Sequence, residues 1–81
     1  MNIERIKEIR EDRDLLQKDI AKVLNIKQQS YSRYEMGIIP LPTEKVCILA
    51  EYYNVSTDYL LNRTDEKRPY PKGIYLKNKE K

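Results

Sequence analysis

Hydrogen-bonding side chains recur at helical spacing in the segment that begins at Gln28. On a helix starting there, one side carries the polar Gln28, Gln29, Ser32 and Arg33 together with Met36. Glutamine donates and accepts at once, which matches N6 and N7 of adenine, and arginine bonds bidentately to O6 and N7 of guanine. This side therefore has the chemistry to read base edges in the major groove of DNA. An ordinary solvated helix face uses the same residue types, and composition alone leaves both interpretations open.

The start of the same helix carries groups that suit phosphate. Lys27 and Ser30, with the backbone amides at the helix N-terminus, could hold phosphate oxygens. Tyr31, Tyr34 and Glu35 share the opposite side, where the aromatic rings supply the bulk that a core needs. The sequence thus predicts a helix with one side in the core and the other directed at a ligand.

Short helices are predicted to position these side chains. Apolar residues recur at intervals of three and four, and glycine and proline are few, so the pattern indicates an all-α fold. A small residue, Ala21, allows the preceding helix to pack closely against the Gln28 helix, with Asn25 as a left-handed cap between them. Five helices are expected. The first begins at residue 3 and ends within the charged stretch 11–14, and the others span 17–24, 28–36 (stopped by Gly37), 43–53 (N-cap Thr43, end at Asn54) and a short segment capped by Ser56.

Length and composition exclude several function classes. The 81 residues suffice for one small domain, and the single Cys47 excludes an intrachain disulfide. Because Cys47 lies in an apolar run, we expect it to be a small core side chain. The chain has no histidine, no paired carboxylates on an apolar face and no glycine-rich phosphate loop, so we expect no enzyme, no metal site, no cofactor and no small-molecule ligand. Without a long apolar run or a signal segment, the expected location is the cytoplasm, with no membrane partner.

Positive charge is concentrated in two segments. Residues 17–37 hold four basic and two acidic side chains, a net +2, and residues 62–81 hold seven and three, a net +4. A basic segment around the polar helix suits a polyanionic partner. We expect residues 1–62 to form the folded domain and residues 63–81 to form a basic tail. The apolar island at residues 74–76 of that tail is either frayed or an added strand.

The run QKDIAKVLNIKQQSYSRYEMG (residues 17–37), followed by LAEYYNVSTDYLL (residues 49–61), resembles the lambda-repressor-like, or Xre, family of helix-turn-helix regulators. The resemblance covers about residues 3–62 and implies a five-helix domain that binds double-stranded DNA as a homodimer, most often as a repressor. The residues that carry the resemblance are Arg10, Gln17, Ala21, Ile26, Glu35, Gly37, Ala50, Val55 and Leu60.

The resemblance also assigns roles on and around the Gln28 helix. It implies that Gln28, Gln29 and Arg33 read bases, with Ser32 and Met36 as further candidates. Gln17 would touch a phosphate and brace this helix. The position before Gln17 often caps the helix in this family, but here it is Leu16, so the resemblance leaves Asp14 or the backbone to compensate.

Two further features are implied away from the base-reading side. Arg10 and Glu35 would form an ion pair that ties the first helix to the end of the Gln28 helix. Tyr59, Leu60 and Leu61 would supply a dimer patch, whereas a monomer would use Leu60 in its core and leave Tyr59 at the surface.

Other functions share this fold. An antitoxin or a restriction-modification controller would look the same in sequence, and so would a protein-interaction module that no longer uses its DNA face. The paired glutamines and Arg33 argue against the interaction module, because a surface that no longer binds DNA has no need of long side chains that form two hydrogen bonds at once.

Overall fold

The computed structural model describes residues 4–69, and this part of the chain consists of helices joined by short turns, with no strand. The predicted all-α fold with five helices is confirmed. Residue 3 and the island at residues 74–76 lie outside the described residues. The helices are α1 (Glu4–Asp12), α2 (Gln17–Val23), α3 (Gln28–Glu35), α4 (Thr43–Tyr53) and α5 (Thr57–Leu60). Within residues 4–69, no helix is both long and apolar enough to cross a membrane.

Left-handed residues make the turns between the helices short. The backbone φ angle is positive at Asp14, Asn25, Gly37, Asn54 and Asn62. Asparagine and aspartate tolerate this conformation best after glycine, because their short polar side chains bond locally to the backbone. The predicted helix ends at Asn25, Gly37 and Asn54 are confirmed, because each of these residues lies one or two positions beyond the last helical residue.

The core is formed by one side of each helix. It contains Ile6 and Ile9 of α1, Ile20, Ala21 and Leu24 around α2, Tyr31 and Tyr34 of α3, Leu41, Val46, Leu49, Ala50 and Tyr53 around α4, and Val55 and Leu60 near α5. On α4 the buried residues follow the spacing i, i+3, i+4 and i+7 that defines one helix face. Cys47 is exposed, so its predicted place in the core is wrong. It follows Val46 by one residue, about 100° around the helix, and that rotation moves it off the buried stripe.

The helix N-termini are capped partly as predicted. The hydroxyl of Ser56 accepts from the backbone N–H of Tyr59 at 3.0 Å, as expected for an N-cap. Thr43 is the first helical residue and not the N-cap, because Pro42 is held extended immediately before it. Leu16 has no side-chain acceptor, so its backbone carbonyl accepts from the Asp19 N–H at 3.0 Å. The Asp19 carboxylate in turn accepts from the Leu16 N–H at 2.8 Å.

The first part of the predicted tail is hydrogen-bonded to the domain. Ser56 donates its backbone N–H to the carbonyl of Lys67 at 2.9 Å and its hydroxyl to the carbonyl of Glu66 at 3.2 Å. On α1, a guanidinium N–H of Arg5 donates to the carbonyl of Thr64 at 2.8 Å. Residues 64–67 therefore lie against α5 and the start of α1. The described tail residues contain no strand, and residues 64–67 are held by hydrogen bonds and not frayed.

The predicted dimer patch needs correction at Leu60. This side chain is 1% exposed and belongs to the core, because it lies on the inner side of the single turn of α5. Tyr59 is half-buried, and the Arg5 guanidinium carbon lies 4.1 Å from its ring centroid. Leu61 is also half-buried against the core. Leu60 thus takes the place expected of a monomer, while Tyr59 is partly covered.

Candidate nucleic-acid interface

The close packing of α2 on α3 orients the polar face of α3 outward. Ala21 is 3% exposed at the contact, and the turn is fixed where the Ile26 N–H donates to the Ala21 carbonyl at 3.0 Å. Tyr31 and Tyr34 anchor the other side of α3 in the core. With that side buried, the remaining residues of α3 face away from the domain.

An open concavity on this outer side is lined by residues that the sequence predicted to read bases. Gln28, Gln29 and Arg33 are exposed in it, and Ser32 is half-buried. Gln17 joins them from the start of α2, so the structure brings together side chains from two helices. The full lining is Gln17, Gln28, Gln29, Ser32, Arg33, Met36 and Ile38. It contains no acidic side chain, which suits a partner that is itself negatively charged.

Of the three side chains predicted to bind phosphate, Lys27 and Ser30 lie beside the concavity, and Gln17 is part of its lining. Lys27 occupies the N-cap position of α3, is exposed, and makes no side-chain cap hydrogen bond. Ser30 is half-buried in the first turn. The first amides of a helix lack intrahelical acceptors, so this end of α3 keeps donors that suit an anion.

A buried ion pair holds α3 against α1. Arg10 Nε donates to Glu35 Oε2 at 2.7 Å and Arg10 Nη2 donates to Oε1 at 3.0 Å, a bidentate arrangement. The two side chains are 10% and 2% exposed. Arg10 also donates to the Leu15 carbonyl at 2.8 Å, and Gln17 Nε2 donates to Glu35 Oε1 at 3.2 Å. The pair expected from the sequence is therefore one part of a network that joins α1, α2 and α3.

The protonation of this network follows from its contacts. Burial alone would raise the pKa of Glu35, but hydrogen bonds from Arg10 and Gln17 and the nearby Tyr31 hydroxyl outweigh burial and lower it. The hydrogen bond to Glu35 raises the pKa of Arg10. Burial, reinforced by the Glu35 carboxylate, raises the pKa of Tyr31. At neutral pH the pair is thus charged and Tyr31 is neutral.

Gln17 has a geometry that fits the bracing part of its implied role. Its amide nitrogen bonds to Glu35 while its side chain borders the concavity. Gln17 therefore connects the ion pair to the concavity, and it links the start of α2 to the end of α3.

The sequence predicts that the loop after Gly37 contacts phosphates, but it does not single out Ile38 of that loop as part of this surface. Ile38 is 61% exposed and borders the concavity beside Arg33. Its backbone N–H donates to the Arg33 carbonyl at 3.0 Å, and the Gly37 N–H donates to the Tyr34 carbonyl at 3.1 Å. These two bonds form a Schellman motif, which turns the residue after the glycine back toward the helix. The glycine directly after Met36 was the signal that could have located Ile38.

Comparisons with known proteins agree with this geometry. A family model described as helix-turn-helix matches residues 6–60. The chain is 35% identical over 69 residues to the uncharacterised HTH-type transcriptional regulator YobD of Bacillus subtilis, covering 85% of this chain and 62% of that protein. It is 39% identical over 61 residues to the HTH-type transcriptional regulator ImmR of the same organism, covering 75% of this chain and 48% of that protein.

A third relative has a different kind of name. The chain is 39% identical over 51 residues to the antitoxin PezA of Streptococcus pneumoniae, covering 63% of this chain and 32% of that protein. The chain spans from about a third to about two thirds of the length of these three curated relatives. No solved structure matches the chain.

Proposed function

The chain belongs to the lambda-repressor-like helix-turn-helix family, and we propose that it is a transcriptional repressor that reads a short palindromic DNA operator as a homodimer. The observation that carries the proposal is the concavity in which Gln17, Gln28, Gln29 and Arg33 converge without any acidic neighbour in the lining. A cytoplasmic location belongs to the same proposal, because the partner is double-stranded DNA.

The side chains divide into base readers and phosphate holders. Gln28 and Gln29 offer paired donors and acceptors that match adenine, and Arg33 offers a bidentate donor that matches guanine. Lys27 and the first amides of α3 would bind the backbone, which fixes the register of the helix in the major groove. Ser32 and Ser30 would add shorter contacts of these two kinds.

A homodimer would place two copies of α3 about one helical turn apart, roughly 34 Å, on the same side of the duplex. The described domain measures 36 × 27 × 23 Å, so two copies fit this spacing when they lie side by side along one of the shorter axes. Because Leu60 is in the core, the dimer surface has to come from other residues, such as Tyr59 and Leu61 of the originally predicted patch.

The test is a selection of duplexes from a random library at about physiological salt, run in parallel for wild type and Gln29→Ala. We expect wild type to enrich a palindromic site and Gln29→Ala to lose preference at one position per half-site, with affinity lower by about 1–3 kcal/mol. Glu44→Ala is the matched control, because Glu44 is exposed on α4 and lies outside the concavity. If the two selections return the same preference, the base-reading role of Gln29 is wrong.

The antitoxin relative supports a second function with the same DNA face. An antitoxin would bind a protein partner in addition to the operator, whereas a simple regulator needs only the operator. If neither wild type nor Gln29→Ala enriches any duplex, the DNA proposal fails, and the concavity becomes a candidate surface for a protein partner.

A further inference from the structure

Two large apolar side chains border the concavity at the C-terminal end of α3. Met36 is 67% exposed and Ile38 is 61% exposed, which are the highest exposures among the large apolar side chains of residues 4–69. Single exposed apolar residues are common on protein surfaces. Met36 and Ile38 lie next to the hydrogen-bonding side chains that line the concavity. A ligand bound there would therefore face these two residues with an apolar group.

Hydrogen bonds hold the side chain of Met36 and the backbone of Ile38. The Ser32 hydroxyl donates to the Met36 sulfur at 3.6 Å, which keeps the thioether along the outer side of α3. The Schellman hydrogen bonds of Gly37 and Ile38 fix the Ile38 backbone beside Arg33. These contacts are local to the end of α3, so they join both residues to the helix that carries Gln28, Gln29 and Arg33.

The major groove presents one apolar group, the C5 methyl of thymine. We propose that Met36 and Ile38 recognise a thymine by its methyl group, next to the bases that Gln28, Gln29 and Arg33 contact. The inference rests on the proposed function and deepens it, because it adds a base that is recognised by an apolar contact and not by a hydrogen bond. The thymine lies outside the positions that Gln29→Ala blurs, since Met36 follows Gln29 by seven residues, roughly 10 Å along the helix axis.

The experiment replaces each thymine of the selected site by deoxyuridine, one position at a time, in both half-sites. Deoxyuridine lacks only the methyl group, so base pairing and all hydrogen-bonding groups stay the same. For wild type we expect about fourfold weaker binding at one thymine per half-site, which is the effect of losing one buried methyl contact. The Met36→Ala/Ile38→Ala double variant should bind the thymine and deoxyuridine duplexes with equal affinity.

Ile48→Ala is the matched control, because Ile48 is an exposed apolar residue of α4 outside the concavity. It should keep the wild-type preference for thymine. Since Met36 and Ile38 are more than half exposed, the double variant should fold, and its unfolding midpoint in urea checks this directly.

Three results would overturn the inference while leaving the proposed function intact. The selected site could contain no thymine, wild type could bind every deoxyuridine duplex as well as the parent, or the double variant could still prefer thymine. The last result would assign the methyl contact to another side chain. If no duplex is selected at all, the proposed function fails and the thymine contact fails with it.

Discussion

Glu35 connects three helices through one carboxylate. It lies at the end of α3, accepts two hydrogen bonds from Arg10 of α1, and accepts a third from Gln17 of α2. Its side chain is 2% exposed, so water cannot replace a lost partner. The position of α3 therefore depends on the charge of Glu35, which is neutralised by Arg10 of α1.

Removing one member of this pair should destabilise the domain strongly. We expect Glu35→Ala to lower the free energy of unfolding by about 3–5 kcal/mol, because it leaves the Arg10 charge buried without its partner. A domain of this size is stable by only about 4–12 kcal/mol, so the variant should be marginal. Urea unfolding followed by circular dichroism measures the change.

The exposed pair of Arg68 and Glu66 is the control, since its side chains are 87% and 53% exposed. Arg68→Ala should change the free energy of unfolding by less than about 1 kcal/mol. The double variant Arg10→Met/Glu35→Leu should lose much less than the sum of its single variants, because no charge is left buried. Additive losses would show that the two residues do not act as a pair.

The lowered pKa of Glu35 gives the domain a defined acid sensitivity. A carboxyl whose pKa is lower in the folded chain stabilises the fold above its ordinary pKa of 4.5, and this contribution is lost as pH falls through the folded pKa. We expect the difference in free energy of unfolding between wild type and Glu35→Gln to be full at pH 7 and to shrink below about pH 4.5. Urea titrations at several pH values measure it, and a difference that stays constant into acid would contradict the prediction.

At the scale of the elements, the angle between α2 and α3 depends on one small residue. Ala21 is 3% exposed where the two helices meet. We expect Ala21→Leu to cost about 1–3 kcal/mol of folding free energy through overpacking, and to weaken DNA binding further by displacing α3. Unfolding and duplex binding, measured on the same preparation, separate these two effects.

Lys22→Leu is the matched control, because it adds an apolar side chain at the next, exposed position of α2. It should leave the unfolding midpoint within the range of ordinary surface substitutions, about 0.5 kcal/mol. If Ala21→Leu bound DNA and unfolded like this control, the small residue would not set the helix approach.

The helices could be predicted from sequence because their signals are local. Asn25, Gly37 and Asn54 mark helix ends through their own backbone preferences, and these turns formed as expected. Thr43 was misplaced by one residue, because the extended Pro42 already serves as the N-cap. Cys47 was misplaced because an apolar run does not show which of its members face inward.

The shared polar face of α3 could be predicted for the same local reason, because the spacing on the helix places its polar residues together. Ile38 was missed because its position depends on the backbone hydrogen bonds that follow Gly37. Leu60 was placed in a dimer patch because α5 is a single turn, too short for periodicity to show its inner side. The contacts of Arg5 join residues more than 50 positions apart, and no local pattern indicates them.

At the scale of the whole molecule, Arg5 joins the start of the described chain to its end. Its guanidinium lies over the Tyr59 ring, donates to the Tyr59 and Thr64 carbonyls, and pairs with Asp65 at 3.2 Å. The Tyr59 carbonyl also accepts from the Asn62 N–H at 3.0 Å, so Arg5 closes the domain chiefly through its bonds to Thr64 and Asp65 beyond the last helix.

Arg5→Ala should therefore loosen the segment after α5. We expect a loss of about 2 kcal/mol in the free energy of unfolding, the scale of hydrogen bonds from a charged donor. The Ser56 amide, which donates to the Lys67 carbonyl, should exchange its hydrogen faster. Lys7→Ala, an exposed substitution on the same helix, is the control. If the hydrogen exchange of the Ser56 amide is unchanged in Arg5→Ala, residues 64–67 are held in place without Arg5.

The electrostatic part of DNA binding also belongs to the whole molecule. Binding that neutralises phosphates releases counterions, so affinity falls with salt at a slope set by the number of phosphate contacts. Lys27 is exposed at the N-cap of α3 and outside the concavity lining, where it can contact phosphate without touching a base. We expect Lys27→Ala to weaken binding to all sequences alike and to reduce the slope by about 1.

Gln29→Ala should do the reverse, losing sequence preference while keeping the slope, because a neutral side chain displaces no counterion. Affinities of both variants for the selected site and for a scrambled duplex, measured across a salt series, separate the two roles. Should Lys27→Ala change sequence preference but not the slope, Lys27 would be a base reader. The register of α3 on the backbone would then depend on its N-terminal amides and Ser30.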